Sequence, residues 1–195
     1  MTRFDLRALV ALAALGTIVG ACSQEAEPVN EENEVANSLE GSASATGRAI
    51  ILAGGDGASL GRVEVKEDAD GVAIMVAASG IASGVHGIHL HEKGLCEGPK
   101  FESAGAHWNP SRRKHGRDNP QGAHLGDLIN LEVPASGAGL ASFTIPGTAI
   151  DGSATALADA DGTSIIVHAK ADDYKTDPSG DSGDRIACAV VAAAK

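Results

Sequence analysis

Residues 61–78 read GRVEVKEDADGVAIMVAA, and this stretch decides the fold class. Val63 and Val65 point to one face of an extended chain and their charged neighbours point to the other, which is the alternation of a half-buried strand. Asp70 and Gly71 then form a typical hairpin turn into a second, more apolar run. The stretch therefore predicts two strands joined by a tight turn.

Outward from this hairpin, short apolar or alternating runs separated by turn signals continue through residues 46–195. We expect eight strands, at residues 48–53, 61–67, 72–78, 85–91, 128–133, 140–145, 163–169 and 185–192. Residues 92–126 and 170–184 lack strand periodicity and are expected to form two long functional loops. No convincing helix pattern occurs in this part of the chain, so it predicts an all-β, antiparallel sandwich or flattened barrel.

The first 45 residues have a different character. In residues 1–21, Arg3 and Arg7 precede a short apolar run that ends in small residues before Cys22. This order resembles a bacterial lipoprotein signal, in which Cys22 receives the lipid; an ordinary cleaved signal with a chance cysteine is the alternative. Residues 22–45 contain six glutamates and no lysine or arginine. We expect a disordered acidic tether there, and nothing specific favours the alternative of a metal-delivery tail.

The formal net charge of −11 limits the partners of the chain. A nucleic acid or an anionic membrane surface would repel it, so we expect no nucleic-acid partner and membrane contact only through the lipid anchor. An anionic substrate would be repelled too, unless a local positive patch reverses the field. The 195 residues are sufficient for one well-cored domain, which we place at residues 46–195.

The three cysteines can be assigned if the chain is exported. If Cys22 is lipidated, Cys96 and Cys188 remain as a pair outside the cytoplasm, where disulfides persist. We therefore expect a disulfide between them, and two buried free thiols are the alternative. The expected location is the periplasm or cell envelope, with the lipid held in a membrane.

All seven histidines lie between residues 86 and 168. His89 and His91 are one residue apart on an expected strand, so their rings project from one face and could hold one metal ion. Three imidazoles and one carboxylate from the first long loop suit tetrahedral zinc: His107, His115, His124 and Asp127. A single histidine of this kind is more often structural, but their concentration favours a metal site.

Six segments together resemble the copper–zinc superoxide dismutases. They are GVHGIHLHE (84–92), SAGAHWNP (103–110), KHG (114–116), HLGDL (124–128), VHAKADD (167–173) and GDRIAC (183–188). The resemblance implies a Greek-key β-sandwich and an oxidoreductase. It would dismute superoxide to dioxygen and hydrogen peroxide with a copper redox centre, bridged to a structural zinc through a shared histidine.

The resemblance also implies residue roles. It assigns copper to four histidines, namely His89, His91, His107 and His168. It assigns zinc to His107, His115, His124 and Asp127. His107 is then the shared bridge and, with Arg185, carries the catalysis. Asp172 is expected to link His89 to His115, and His86 matches a structural position that binds no metal.

Arg185 matches the arginine that guides the superoxide anion, and it would supply the local positive charge that an acidic protein needs. Lys170 and Lys175 either add to this charge or are plain solvated lysines. Trp108, next to the bridge position, indicates either a subunit interface or simple packing. Monomer and homodimer both stay open.

Two other functions compete with the enzyme. One is a non-catalytic, dismutase-like protein of the cell envelope that binds copper or zinc. The other is a purely structural interaction module, which would not need the complete set of metal-binding residues.

Overall fold

Residues 48–195 are described by a computed structural model, and they fold almost entirely into strands and loops. The predicted signal peptide, Cys22 and the acidic tether lie outside the described residues. The nine strands are β1 (Arg48–Gly54), β2 (Ser59–Asp68), β3 (Gly71–Ala78), β4 (Gly84–His86), β5 (Ile88–His91), β6 (Leu131–Val133), β7 (Gly139–Pro146), β8 (Thr163–His168) and β9 (Arg185–Ala192). A single 3-10 turn, Glu102–Ala104, is the one helical element among these residues. Within residues 48–195, no helix has the length and apolarity needed to cross a membrane.

The strands form two antiparallel sheets. Seven pair in the order β5-β8-β9-β1-β2-β3-β7, and β4 pairs with β6. The hairpin predicted from residues 61–78 is present, with Asp68 opposite Gly71 and Val63 opposite Val76. The all-β, antiparallel prediction is confirmed, and the two predicted loops are present at 92–130 and 169–184. A third connection, 147–162 between β7 and β8, is as long as the second of these loops.

One predicted strand is divided in the structure. The predicted strand 85–91 splits at Gly87, so that β4 joins the small sheet and β5 joins the large one. The Gly87 amide donates to the Lys170 carbonyl oxygen, and the Gly87 carbonyl oxygen accepts from the His168 amide. A Cβ atom at residue 87 would lie 2.8 Å from Cβ of Ser182. The point where the chain passes from the small sheet to the large one therefore needs a glycine. Contacts with Lys170, His168 and Ser182, which are far away in the sequence, decide that this point is residue 87.

The two faces of β5 and β8 have different roles. Ile88 and Leu90 on β5, with Ile165 and Val167 on β8, are fully buried in the main hydrophobic core. Burying each such side chain stabilises the fold by about 1.5–3 kcal/mol. The histidines of these strands alternate with the core residues and therefore face the opposite side, where the loops cover them. The core thus holds the strands that carry these rings in place.

The predicted disulfide between Cys96 and Cys188 is confirmed, and it joins the first long loop to β9. Phe101, Ala104 and Ile166 are buried around Cys188 in a small second cluster. This cluster fastens the loop segment 96–105 over the strands that carry the histidines.

Candidate metal centre

Four histidine rings meet where the strand face and the first long loop come together. His89 and His91 extend from β5 and His168 from the end of β8, and His107 pairs with His91 in an isolated antiparallel bridge. The His89 and His107 rings stack with centroids 4.0 Å apart. One nitrogen of each of the four rings lies within 4.8 Å of the others. The structure therefore brings together the four residues to which the sequence assigned copper.

Each of these four rings is oriented by a hydrogen bond from its other nitrogen. His91 Nδ1 donates to the Gly105 carbonyl oxygen at 3.0 Å, and His168 Nδ1 donates to the Gly183 carbonyl oxygen at 3.2 Å. His89 Nε2 donates to Asp172 Oδ2 at 2.9 Å. These contacts fix the ring orientations, so that a chosen nitrogen of each ring faces its neighbours.

The facing nitrogens are buried and have no hydrogen-bond partner. They are His89 Nδ1, His91 Nε2, His107 Nε2 and His168 Nε2. Among the described residues, only Thr148 Oγ1 and Ser164 Oγ share this condition. Buried polar atoms are nearly always paired, so four unpaired lone-pair nitrogens facing one another fit a metal ion that accepts imidazole ligands.

A second set of donors surrounds Asp127. Its Oδ1 atom lies 3.0 Å from Nδ1 of His107, 3.0 Å from Nδ1 of His115 and 3.1 Å from Nδ1 of His124. Ligands about 2.0–2.1 Å from a tetrahedral zinc ion lie roughly 3.3 Å from one another. Oδ2 of Asp127 accepts from the Gly116 and His124 amides, which holds the carboxylate in place. The donor types and their spacing fit zinc.

Only His107 presents a nitrogen to each set. Proximity alone groups His89, in place of His124, with His107, His115 and Asp127. We favour His124 over His89 in that group, because His89 Nε2 is bonded to Asp172 and its Nδ1 is one of the four facing nitrogens. His107, in contrast, directs Nδ1 towards Asp127 and leaves Nε2 free for the other set.

Asp172 connects the two sets through a hydrogen bond to one histidine of each. Its Oδ2 atom accepts from His89 Nε2 at 2.9 Å and its Oδ1 atom accepts from His115 Nε2 at 3.0 Å, with both side chains fully buried. Asn130 holds the backbone of Asp172 through two hydrogen bonds, from its Nδ2 and to its Oδ1. Sequence reasoning missed Asn130, since its partner is 42 residues away in the chain.

Burial and hydrogen bonding shift the pKa values of these side chains in different directions. Burial lowers the pKa of His91 to about 2, of His107 to about 4 and of His168 to about 3, so these rings stay neutral. Burial opposes charge on His115 as well, but its hydrogen bonds to Asp127 and Asp172 raise its pKa to about 9. Burial also works against ionised Asp127, yet bonds from three histidines hold the pKa of that carboxyl far below its usual range.

Arg185 stands at the start of β9, opposite His168 in the ladder to β8. Its guanidinium donates to the carbonyl oxygens of Phe101 at 2.7 Å and Gly105 at 2.6 Å. Arg185 also lines an open cleft of about 580 Å³, together with Lys100 and Glu102. The guanidinium is only partly buried, and it therefore places a fixed positive charge beside the histidine cluster.

The structure also defines the contacts of four other residues named from the sequence: His86, Trp108, Lys170 and Lys175. His86 Nδ1 lies 2.8 Å from the His168 carbonyl oxygen and Nε2 lies 3.0 Å from that of Ala82, which is a structural role. Trp108 is buried in the main core, so packing explains it. Lys170 lies close to Gly183, within two residues of Arg185, whereas the Lys175 carbonyl oxygen accepts from Asn119 on the first long loop. Of the two lysines, Lys170 is the one that packs beside Gly183, two residues before Arg185.

The matching family model is "Copper/zinc superoxide dismutase (SODC)", over residues 59–191. The superoxide dismutase-like protein YojM of Bacillus subtilis is 42% identical over 183 residues, covering 92% of each chain. The copper–zinc superoxide dismutase of Caulobacter vibrioides is 42% identical over 144 residues, covering 72% of this chain and 83% of that protein.

Solved structures agree with these matches. A superoxide dismutase-like protein from Bacillus subtilis superposes with a TM-score of 0.71 at 43% identity, covering 75% of this chain and 99% of that one. The copper/zinc superoxide dismutase of Brucella abortus gives a TM-score of 0.58 at 26% identity, covering 74% and 99%. With the metal-site geometry, the family match and these relatives in agreement, the chain belongs to the copper/zinc superoxide dismutase family.

Proposed function

We propose that the chain is an enzyme that converts two superoxide anions and two protons into dioxygen and hydrogen peroxide. Copper is held by the four facing nitrogens, of His89, His91, His107 and His168. Zinc is held by the second set, of His107, His115, His124 and Asp127. The proposal goes beyond family membership, because it assigns both the catalytic activity and the ligands.

The observation that carries the proposal is the group of four unpaired, buried ring nitrogens beside Arg185. A protein that had lost the copper function would have no reason to keep four buried nitrogens without partners, since unpaired buried polar atoms cost about 1–3 kcal/mol each. A structural interaction module would not need a cationic side chain next to them either.

Copper in such a site supplies reversible one-electron chemistry, and zinc supplies a fixed charge that needs no redox change. The chain's own residues do the rest. Arg185 attracts and orients the anion through its fixed charge, within a protein whose net charge is negative. His107 presents one nitrogen to each set, and its Nε2 atom takes up a proton in the first half-reaction and gives it up in the second. The low pKa of the neighbouring rings keeps their nitrogens free to bind metal at neutral pH.

A second candidate function is a dismutase-like protein that binds copper and zinc without turning over superoxide. This candidate is considered because the Bacillus subtilis relative is named a superoxide dismutase-like protein. The presence here of a guide arginine hydrogen-bonded in place favours the enzyme.

Dismutation by the purified full chain, loaded with one copper and one zinc, separates the two candidates. We expect a rate per copper far above that of the same concentration of free copper, and we expect His91→Ala to lose most of it. A metal-loaded chain that is no faster than free copper would exclude the enzyme and leave the binding protein. Lys66→Ala, on the exposed end of β2, is the matched surface control.

We further propose that the chain works in the periplasm or cell envelope, attached to a membrane by a lipid on Cys22. The disulfide between Cys96 and Cys188 supports an oxidising compartment. Cells that express the chain and are fed labelled palmitate should label the wild type and not Cys22→Ser. No labelling in either would favour an ordinary cleaved signal, and equal labelling would exclude Cys22 as the lipidated residue.

A further inference from the structure

His115 differs from three of the four proposed copper ligands in how its backbone is held. His89, His91 and His168 lie on β5 and β8, where ladder bonds fix their positions. His115 lies in the first long loop, between the 3-10 turn Glu102–Ala104 and β6, and it is not part of a strand. Its ring is fully buried and faces Asp127 through Nδ1 and Asp172 through Nε2. Something other than a sheet must hold its main chain.

The second long loop provides that support through one carboxylate. Asp177 Oδ1 accepts the backbone amide of His115 at 2.8 Å, across 62 residues of sequence. Asp177 Oδ2 accepts from Nζ of the preceding residue, Lys114, at 2.9 Å. One partly exposed side chain thus holds the main chain at His115 from outside, while Asp172 of the same loop holds its ring from inside.

The neighbouring contacts show that the two loops are fitted to each other here. The Asp118 amide donates to the Tyr174 carbonyl oxygen at 3.0 Å, and the Arg117 guanidinium lies 4.0 Å above the Tyr174 ring. Gly116 packs directly against the Tyr174 backbone, where an added Cβ atom would collide with its carbonyl group. The contact at Asp177 is therefore one of several adjacent contacts between the two loops.

We propose that Asp177 is a positioning residue for zinc: its bond to the His115 amide sets the place of that ligand before the metal binds. The inference rests on the proposed zinc set, which contains His115. In the hydrogen bonds of the described residues, Asp177 contacts neither β5 nor β8, which carry three of the four proposed copper ligands, so its direct effect falls on the zinc set. The ion pair with Lys114 is exposed and contributes little.

The test measures the metal affinities of the full chain, stripped of metal, by competition with chromophoric chelators. Asp177→Ala should lower zinc affinity by about 10–100-fold, the usual effect of removing a group that orients a ligand, and leave copper affinity unchanged. Asp177→Asn keeps an oxygen for the His115 amide and should recover most of the loss. Lys114→Ala should change zinc affinity by no more than about fivefold.

Cobalt(II) in place of zinc gives a second readout that a general loss of stability would not mimic. Its visible bands report ligand geometry, and Asp177→Ala should alter them while Asp177→Asn restores them. Asp181→Asn removes a charge from an exposed position of the same loop and should leave both readouts unchanged.

Three results would overturn the inference alone: wild-type zinc affinity in Asp177→Ala, an equal loss of copper and zinc, or an equal loss in Asp181→Asn. A wild-type chain that binds neither zinc nor cobalt here would overturn the proposed zinc set as well.

Discussion

His91 and Arg185 donate to the same acceptor, the carbonyl oxygen of Gly105, from His91 Nδ1 at 3.0 Å and from Arg185 Nη2 at 2.6 Å. A proposed copper ligand and the arginine proposed to guide the anion are therefore positioned by one backbone atom of the first long loop. The Phe101 carbonyl oxygen holds the guanidinium at a second point. The distance between charge and metal site is thus set by the segment 101–105, which the disulfide and its small apolar cluster fasten down.

Replacing Arg185 tests this arrangement. Arg185→Ala should lower kcat/KM for superoxide by about tenfold or more and weaken its dependence on ionic strength, because the fixed charge that attracts the anion is gone. Arg185→Lys keeps a charge but cannot make both carbonyl contacts, so its kcat/KM should lie between those of the wild type and of Arg185→Ala. Stopped-flow or pulse-radiolysis rates at several salt concentrations measure both effects. Unchanged rates and salt dependence in the alanine variant would remove the guiding role.

A methyl group at residue 180 should disturb the link between the two metal sets. Gly180 has φ +67°, and an added Cβ atom would collide with Asp172 Oδ1 and His115 Nε2. We expect Gly180→Ala to weaken zinc binding by at least about tenfold, since Asp172 can no longer orient His115. Gly152→Ala is the matched control, because φ is +78° there and no atom lies within 4 Å of the added group. Equal zinc affinities for both variants would show that the collision is relieved without moving Asp172.

Removal of the disulfide should lower the free energy of unfolding. The bridge closes a loop with a sequence separation of 92, and chain entropy gives such a cross-link roughly 4–5 kcal/mol. We expect that loss for the metal-free chain with both Cys96→Ala and Cys188→Ala, measured by urea unfolding. A loss below about 1 kcal/mol would mean that the unfolded chain gains little freedom when the bridge is removed.

The metal-free protein should be most stable near pH 6.5–7. In the unfolded chain the rings titrate near 6.5, but burial keeps the pKa of His91, His107 and His168 at about 2, 4 and 3. Below pH 6.5 the unfolded state therefore binds protons that the folded state does not, and each one costs about 1.4 kcal/mol of stability per pH unit. His115 acts in the opposite sense: its pKa of about 9 contributes stability below pH 6.5 that is lost as the pH rises through 9.

Urea midpoints of the metal-free chain between pH 4.5 and 9 check this dependence. Stability that stays constant or rises as the pH falls from 6.5 to 4.5 would contradict the neutral, buried state of the three rings. Bound copper and zinc should raise the stability but make it fall more steeply below pH 6.5, because the metals also keep His115 unprotonated in the folded chain while the unfolded chain still takes up protons.

The sequence carried enough information for the strands and for the metal-type residues, but not for the contacts between loops. Period-two alternation places His89 and His91 on one face, and the structure has them there. The split at Gly87 escaped prediction because a single glycine inside a strand pattern does not by itself end the strand, and hydrogen bonds to Lys170 and His168 decide it. The support of His115 by Asp177 escaped as well, since no local pattern relates residues 62 positions apart.

The acceptors of Arg185 could not have been found from residue types at all. They are backbone carbonyl oxygens of Phe101 and Gly105, which every residue possesses, and only the path of the loop makes them specific. Side-chain chemistry is visible in a sequence, whereas the use of main-chain atoms appears only after folding.

Whether His107 lies between two metals is the question on which the ligand assignment, the proton transfer and the role of the guide arginine all depend. Anomalous diffraction at the copper and zinc edges, from crystals of the full chain loaded with both metals, answers it directly. We expect one copper next to His107 Nε2, with His89, His91 and His168, and one zinc next to His107 Nδ1, with His115, His124 and Asp127. A single metal per chain, or a His107 ring that contacts only one of them, would contradict the shared site.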